Sequence, residues 1–142
     1  MPEPGPDDGL APARAMWSAD AASAMLGMQL VDLAPGRASV SMLVREDMVN
    51  GHGLCHGGLI ASLADSAFAL ACNSHGPATV AAGFGVDLLR PARLGQTLHA
   101  DAREVSVRGR SGIYDVTVRA DDADSGEVVA EFRGRSRTIA RA

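Results

Sequence analysis

The sequence predicts an α+β domain in which an antiparallel sheet of about six strands wraps around one long buried helix. Three observations lead there. Residues 28–45 and 80–132 fall into runs where apolar and polar side chains alternate, the period of a half-buried strand. Residues 58–72 (GLIASLADSAFALAC) are instead apolar nearly all round, and a helix of that kind belongs inside a protein. No internal repeat or second domain is visible, so this one helix is available to cover the sheet.

The elements follow in order. Residues 1–12 hold four Pro, two Gly and three acids and read as a disordered leader, which leaves residues 13–142 as a single domain. Residues 13–26 are Ala-rich with Met16, Trp17 and Met25 among the apolar positions, a short packing helix with Gly27 as its cap. Residues 28–33 form a first strand, and Pro35-Gly36 a turn. In the second strand Ala38, Val40, Met42 and Val44 share a face, with Leu43 the exception. A Gly-rich loop, residues 46–57, leads into the helix, and residues 73–77 end it. Four more strands follow. Their shared faces are Val80, Ala82, Phe84, Val86 and Leu88; Leu98, Ala100 and Ala102; Tyr114, Val116, Val118 and Ala120; and Val128, Ala130 and Phe132.

Composition excludes several classes. Apolar residues make up 46% and charged residues 21%, ordinary for a soluble domain. No apolar run approaches the ~20 residues of a membrane span, and the first residues lack the pattern of a signal peptide. The expectation is a cytoplasmic protein without a membrane partner. A net charge of −4 argues against nucleic acid. Two cysteines, Cys55 and Cys72, make neither a disulfide framework nor a thiolate metal site. All 13 basic residues are Arg. Up to residue 71 three Arg face eight acids; beyond it ten Arg face nine. The Arg clusters are either solvated strand faces or an anion site, for which the guanidinium fork is suited.

The chemistry concentrates in residues 50–65, NGHGLCHGGLIASLAD. An isolated HGG would be weak evidence. Here Asn50 lies six residues before His56, Asp65 nine after it, and an LRP at residues 89–91 closes the next strand. This pattern, extended by GVDLLRPARLGQTLHADA and GIYDVTV, closely resembles hot-dog-fold acyl-CoA thioesterases of phenylacetate degradation, the hydroxyphenylacetyl-CoA type, over residues 40–138. The resemblance implies hydrolysis of aryl-acetyl-CoA or hydroxylated phenylacetyl-CoA to free acid and CoA. It implies no cofactor, coenzyme A being part of the substrate.

The residues support that reading on their own terms. Gly57 and Gly58 open the buried helix, where N–H groups are unpaired and the dipole is positive. The Gly57 N–H is placed to hold a developing oxyanion; the plainer alternative is a tight loop-to-helix turn. Asp65 is a carboxylate in an otherwise apolar helix, costly without a partner or a task. The resemblance makes it the acid that attacks the thioester carbonyl or activates a water, two routes the sequence does not separate. Asn50 orients water or the thioester, or is a turn residue. His56, at the helix mouth, holds the loop through a backbone hydrogen bond or touches substrate. Ser66 bonds near the Asp65 carboxylate or back to its own helix. Arg90, Arg108, Arg110 and Arg135 are the candidates for the CoA phosphates, and Phe68, Met48 and Phe84 for the acyl pocket. His52 and His56 are four apart, but the intervening glycines make a loop, so no metal is expected.

Eight residues separate Gly57 from Asp65, ~12 Å along a helix. One chain therefore cannot bring both to one carbonyl, whereas a two-fold partner with an antiparallel helix can. A homodimer with shared sites is expected, and the resemblance adds pairing of dimers into a tetramer. Two rival readings exist. A non-catalytic acyl-CoA-binding module would keep the fold but has no need of Asp65. A hot-dog dehydratase needs an Asp–His pair in a loop motif not found here.

Overall fold

The structure, a computed structural model, describes residues 8–139. A 3-10 turn, Asp8–Leu10, leads into α1 (Ala11–Ser18) and α2 (Ala21–Met25). Strands β1 (Gln29–Ala34) and β2 (Arg37–Leu43) form a hairpin, and a second 3-10 turn, Glu46–Met48, precedes the loop to α3 (Gly57–Asn73). Four strands complete the chain: β3 (Thr79–Leu88), β4 (Thr97–Arg108), β5 (Ser111–Ala120) and β6 (Val128–Thr138). The sheet order is β1-β2-β4-β5-β6-β3, with every neighbouring pair antiparallel. This is the expected six-stranded sheet around one helix.

The helix and the sheet face each other through large apolar side chains. Leu63, Phe68 and Leu70 of α3 are buried, as are Val40 and Met42 on β2, Leu98 on β4, Tyr114, Val116 and Val118 on β5 and Phe132 on β6. The Phe68 ring lies 5.7 Å from both Tyr114 and Phe132, tilted against each. It also reaches the backbone of β6, because a Cβ at Gly134 would come within 2.8 Å of its ring atoms. Phe68 and Met48, offered by the sequence for the acyl pocket, are core residues, each 1% exposed, and line none of the cavities described below.

Four boundaries differ from the sequence reading, each for a physical reason. The last residues of the expected leader, 8–12, are a 3-10 turn and the start of α1; Leu10 is buried, and Pro12 sits in the first helical turn, where no N–H is missed. Residues 1–7 lie outside the described residues. The single helix expected over residues 13–26 is two, because Asp20 accepts the Ser23 N–H and caps a new helix. Gly27 does close it, at φ +70°. In β3 a bulge between Ala81 and Gly83 breaks the expected shared face. Phe84, Val86 and Leu88 pair with Gly134, Phe132 and Ala130 on the helix side, while Val80 pairs with Arg137 on the other. Finally, β4 and β6 run six residues past the last apolar positions named for them, Ala102 and Phe132. In β6 the extra inward positions are Gly134 and Ser136, too small to register as apolar.

Candidate active site

The loop before α3 is held by backbone and by one side chain. Asn50 N–H donates to Leu54 O at 2.7 Å, Gly53 N–H to Asn50 O at 3.0 Å, and Gly53 takes φ +75° to close the turn. Asn50 Oδ1 accepts from the N–H groups of His52, at 2.9 Å, and Leu54, at 3.2 Å. Its Nδ2 has no partner among the described residues. Two further bonds, Cys55 N–H to Ala92 O and His56 N–H to Met48 O, both 2.8 Å, fix the loop to the body. His56 thus supports the loop through its own N–H. Its imidazole, which the sequence reading allowed in that role, is exposed and makes no such bond.

His56 is the N-cap residue of α3, extended at φ −61° and ψ 130° and without a side-chain cap. The Gly57 N–H has no acceptor among the described residues, as expected at a first turn. Asn50, Leu54, Cys55, Gly57, Ile60, Leu88 and Arg90 are among the residues around a cavity of about 310 Å³ there. A Cβ at Gly57 would lie 2.5 Å from Leu88 Cδ1, so glycine also lets the edge strand come close. A backbone donor, the free Asn50 amide and the helix dipole converge on this cavity.

Asp65 lies two turns along α3 in a different cavity of about 210 Å³, with Asp20, Ser23, Leu26, Met28, Ser62 and Ser66 around it. The two cavities share no lining residue. No hydrogen bond or ion pair reaches the Asp65 carboxylate from the described residues. Burial, and then the negative charge of Asp20, hold its pKa above the ordinary carboxylate value. Ser66 Oγ meets Ser23 Oγ at 2.8 Å, neither its own helix nor Asp65. Ser62 is the residue that bonds back, to Gly58 O at 2.9 Å. Neither Asp20 nor Ser23 stood out in the sequence; the one available signal was an Asp three residues before a Ser, an N-cap spacing.

The four candidate arginines divide. Arg108 and Arg135 share a third cavity of about 330 Å³ with Arg137, Ser106 and Ser111, on the sheet surface opposite α3. The Arg135 guanidinium lies across Gly83, where a Cβ would clash with it. Arg90 is at the other end of β3 and donates to Val128 O at 3.0 Å. Arg110 sits in the β4–β5 turn, outside that cavity lining.

Residues 52–127 match the family profile described as Thioesterase superfamily. The chain belongs to this superfamily. The thioesterase is 42% identical to acyl-coenzyme A thioesterase PaaI of Escherichia coli over 127 residues, 89% of each chain. The solved E. coli PaaI protein, from the phenylacetic acid degradation operon, superposes with a TM-score of 0.89 at 40% identity, covering 95% of this chain and 96% of that one. A variant of phenylacetic acid degradation protein PaaI from Thermus thermophilus superposes at 0.77 with 40% identity, covering 82% and 97%. The family and hot-dog architecture expected from the loop motif are therefore those found. Among the described residues, no helix of the thioesterase is long and apolar enough to cross a membrane.

Proposed function

We propose that this thioesterase hydrolyses acyl-CoA thioesters, with an aryl-acetyl or ring-hydroxylated aryl-acetyl group as the acyl part, at sites shared between two chains. The observation that carries the reading is an N–H at Gly57 and a carboxylate at Asp65, each without a partner among the described residues, in cavities that share no lining residue. The thioester carbonyl oxygen sits on the Gly57 N–H of one chain, beside the Asn50 amide. The Asp65 carboxylate of the other chain attacks the carbonyl carbon or takes a proton from the water that does. The C–S bond breaks and the departing CoA thiolate takes up a proton; on the direct-attack route water then cleaves the Asp65 mixed anhydride to release the acid, and on the base route the water's oxygen stays with the acid. A raised carboxylate pKa suits a base, since it strengthens the affinity for the proton being removed.

The edge strand supports the dimer. Among the described residues β3 pairs only with β6 and leaves its other edge unpaired, and Phe84 and Leu88 are about half exposed on its helix side. A long apolar edge of this kind is a template for a second strand. Leu88 at the end of β3, and Leu89 after it, line the Gly57 cavity. A two-fold axis at β3 makes the interface isologous and yields two equivalent sites. Pairing of dimers into a tetramer and a cytoplasmic location complete the proposal, and the Arg108–Arg135 cavity is its best-formed anion site for CoA phosphates. The aryl-acetyl group is supported by the phenylacetic acid degradation named for the solved E. coli and T. thermophilus proteins. Thiol release measured across short-chain, long-chain and aryl-acetyl CoA thioesters tests it. Highest kcat/KM for the aryl-acetyl set supports the proposal, and no thiol release from any CoA thioester refutes it.

A further inference from the structure

Three hydroxyls line the Asp65 cavity or its wall, and each proton is committed elsewhere. Ser62 donates to Gly58 O. Ser23 donates to Asp20 Oδ2 at 2.6 Å. A hydroxyl has one proton, so in the 2.8 Å contact between Ser23 and Ser66 the donor is Ser66. The chain runs Ser66 to Ser23 to Asp20, and none of it reaches Asp65. Asp20 is fixed at the end of this chain because its other oxygen accepts the Ser23 N–H at 2.9 Å and caps α2.

We propose that Asp20 is a positioning residue for Asp65. Anchored on α2, it sets a second negative charge on the wall of the cavity and draws the Ser23 and Ser66 protons toward itself, leaving the Asp65 carboxylate without a donor. The inference rests on the role given to Asp65 above and adds what tunes that group. The groups that face Asp65 are few. Asp20 comes from the start of α2, and Met28, ahead of β1, brings no charge. On α3 itself the nearby titratable group is Cys72, whose thiol burial pushes up to about 12, so it stays neutral. No basic side chain is among the residues lining the cavity. A carboxylate in such a setting binds a proton more tightly, and burial with the Asp20 charge does hold its pKa up.

The same bonds also describe a plain helix cap, so the test must separate charge from cap. Asp20→Asn and Asp20→Ser both keep a good N-cap residue and remove the charge. Each also weakens the pull on the Ser23 proton. The pH profile of kcat/KM reports the essential base of the free enzyme. In both variants its acidic limb is expected to move to lower pH, and the plateau rate to fall roughly two- to tenfold, a fraction of what a general base contributes. Melting temperature should stay within about 2 °C, because the cap survives. Either variant suffices if the other does not fold. An acidic limb that stays in place, or moves to higher pH, overturns the inference. Asp65→Asn is measured alongside. If it is inactive while the limb of the Asp20 variants is unmoved, only the role of Asp20 falls; if it keeps its rate within about threefold, the limb never belonged to Asp65 and the proposed mechanism falls too.

Discussion

At the mouth of α3 the proposed reactive group is a backbone N–H, and the side chains around it hold that backbone still. Asn50 accepts two N–H groups of its own loop, and Cys55 and His56 tie the loop to Ala92 and Met48. Two turns along, the proposed reactive group is a side chain, and its neighbours are turned away. Ser23 and Ser66 face Asp20 and each other, and Asp65 receives no bond from the described residues. Both halves leave one polar group unpaired, but at the mouth the neighbours' bonds fix its position, and around Asp65 they keep donors away from it. Substitutions at the mouth should therefore act through geometry, and substitutions around Asp65 through protonation.

The largest expected effect breaks the comparison at Asp65. Asp65→Asn removes the base while keeping the shape, and steady-state thiol release should fall by ~100-fold or more. Next comes the loop. Asn50→Asp keeps the Oδ1 acceptor for His52 and Leu54 but replaces the free amide donor, so kcat should fall by about tenfold with the melting temperature little changed. If Asn50 were only a turn residue, the rate would survive. A smaller effect is expected at the sheet surface. Arg108→Gln and Arg135→Gln are exposed, solvent-screened positions, and each should raise KM for CoA thioesters by only about two- to fivefold. The corresponding pantetheine thioesters, which lack the nucleotide phosphates, should show no rise. If both substrate types respond alike, this cavity does not hold phosphate.

The smallest effect is on stability, and it runs opposite to the first. The folded-state pKa of Asp65 is raised above its unfolded value, so the folded protein holds that proton more tightly. Ionising Asp65 then disfavours folding, and the cost is present above the folded pKa and absent below the unfolded one. Asp65→Asn should raise the melting temperature by a few degrees at neutral pH, and the gain should shrink as pH falls through the carboxylate range. Thermal scans at neutral and acidic pH measure it.

How much of this was legible in the sequence follows from the kind of signal each part leaves. The sheet and its helix were readable because Val40, Met42, Val116 and Val118 alternate with polar residues while α3 is apolar all round. The start of α3 was readable because a short loop motif marks it, with glycine at Gly57 where Leu88 leaves no room for a Cβ. The environment of Asp65 was not, because Asp20 and Ser23 reach it from α2 by tertiary packing, 45 and 42 residues away in the chain. The inward face of late β6 was hidden for another reason. Gly134 is there to admit the Phe68 ring, and an absent side chain leaves no apolar period. The bulge in β3 also left no residue signal, and it moved Val80 to the face opposite Phe84.

The central claim, that two chains share each site, has a direct test in mixed dimers. Asp65→Asn lacks the base, and Gly57→Pro lacks the N–H, a loss of the kind that costs on the order of 100- to 1000-fold. Proline is tolerated at a first helical position, and His56 already has the extended backbone that a following proline requires. The Leu88 side chain must move to admit the ring, so the fold of Gly57→Pro is checked first by thermal melting. The two inactive proteins are then refolded together, and thiol release is compared with each alone. In a mixed dimer one site carries both lesions and the other neither, so activity should return to about a quarter of the wild-type value when chains mix at random. Mixed dimers that form, stay folded and remain inactive would place the carboxylate and the oxyanion donor on the same chain and contradict the account.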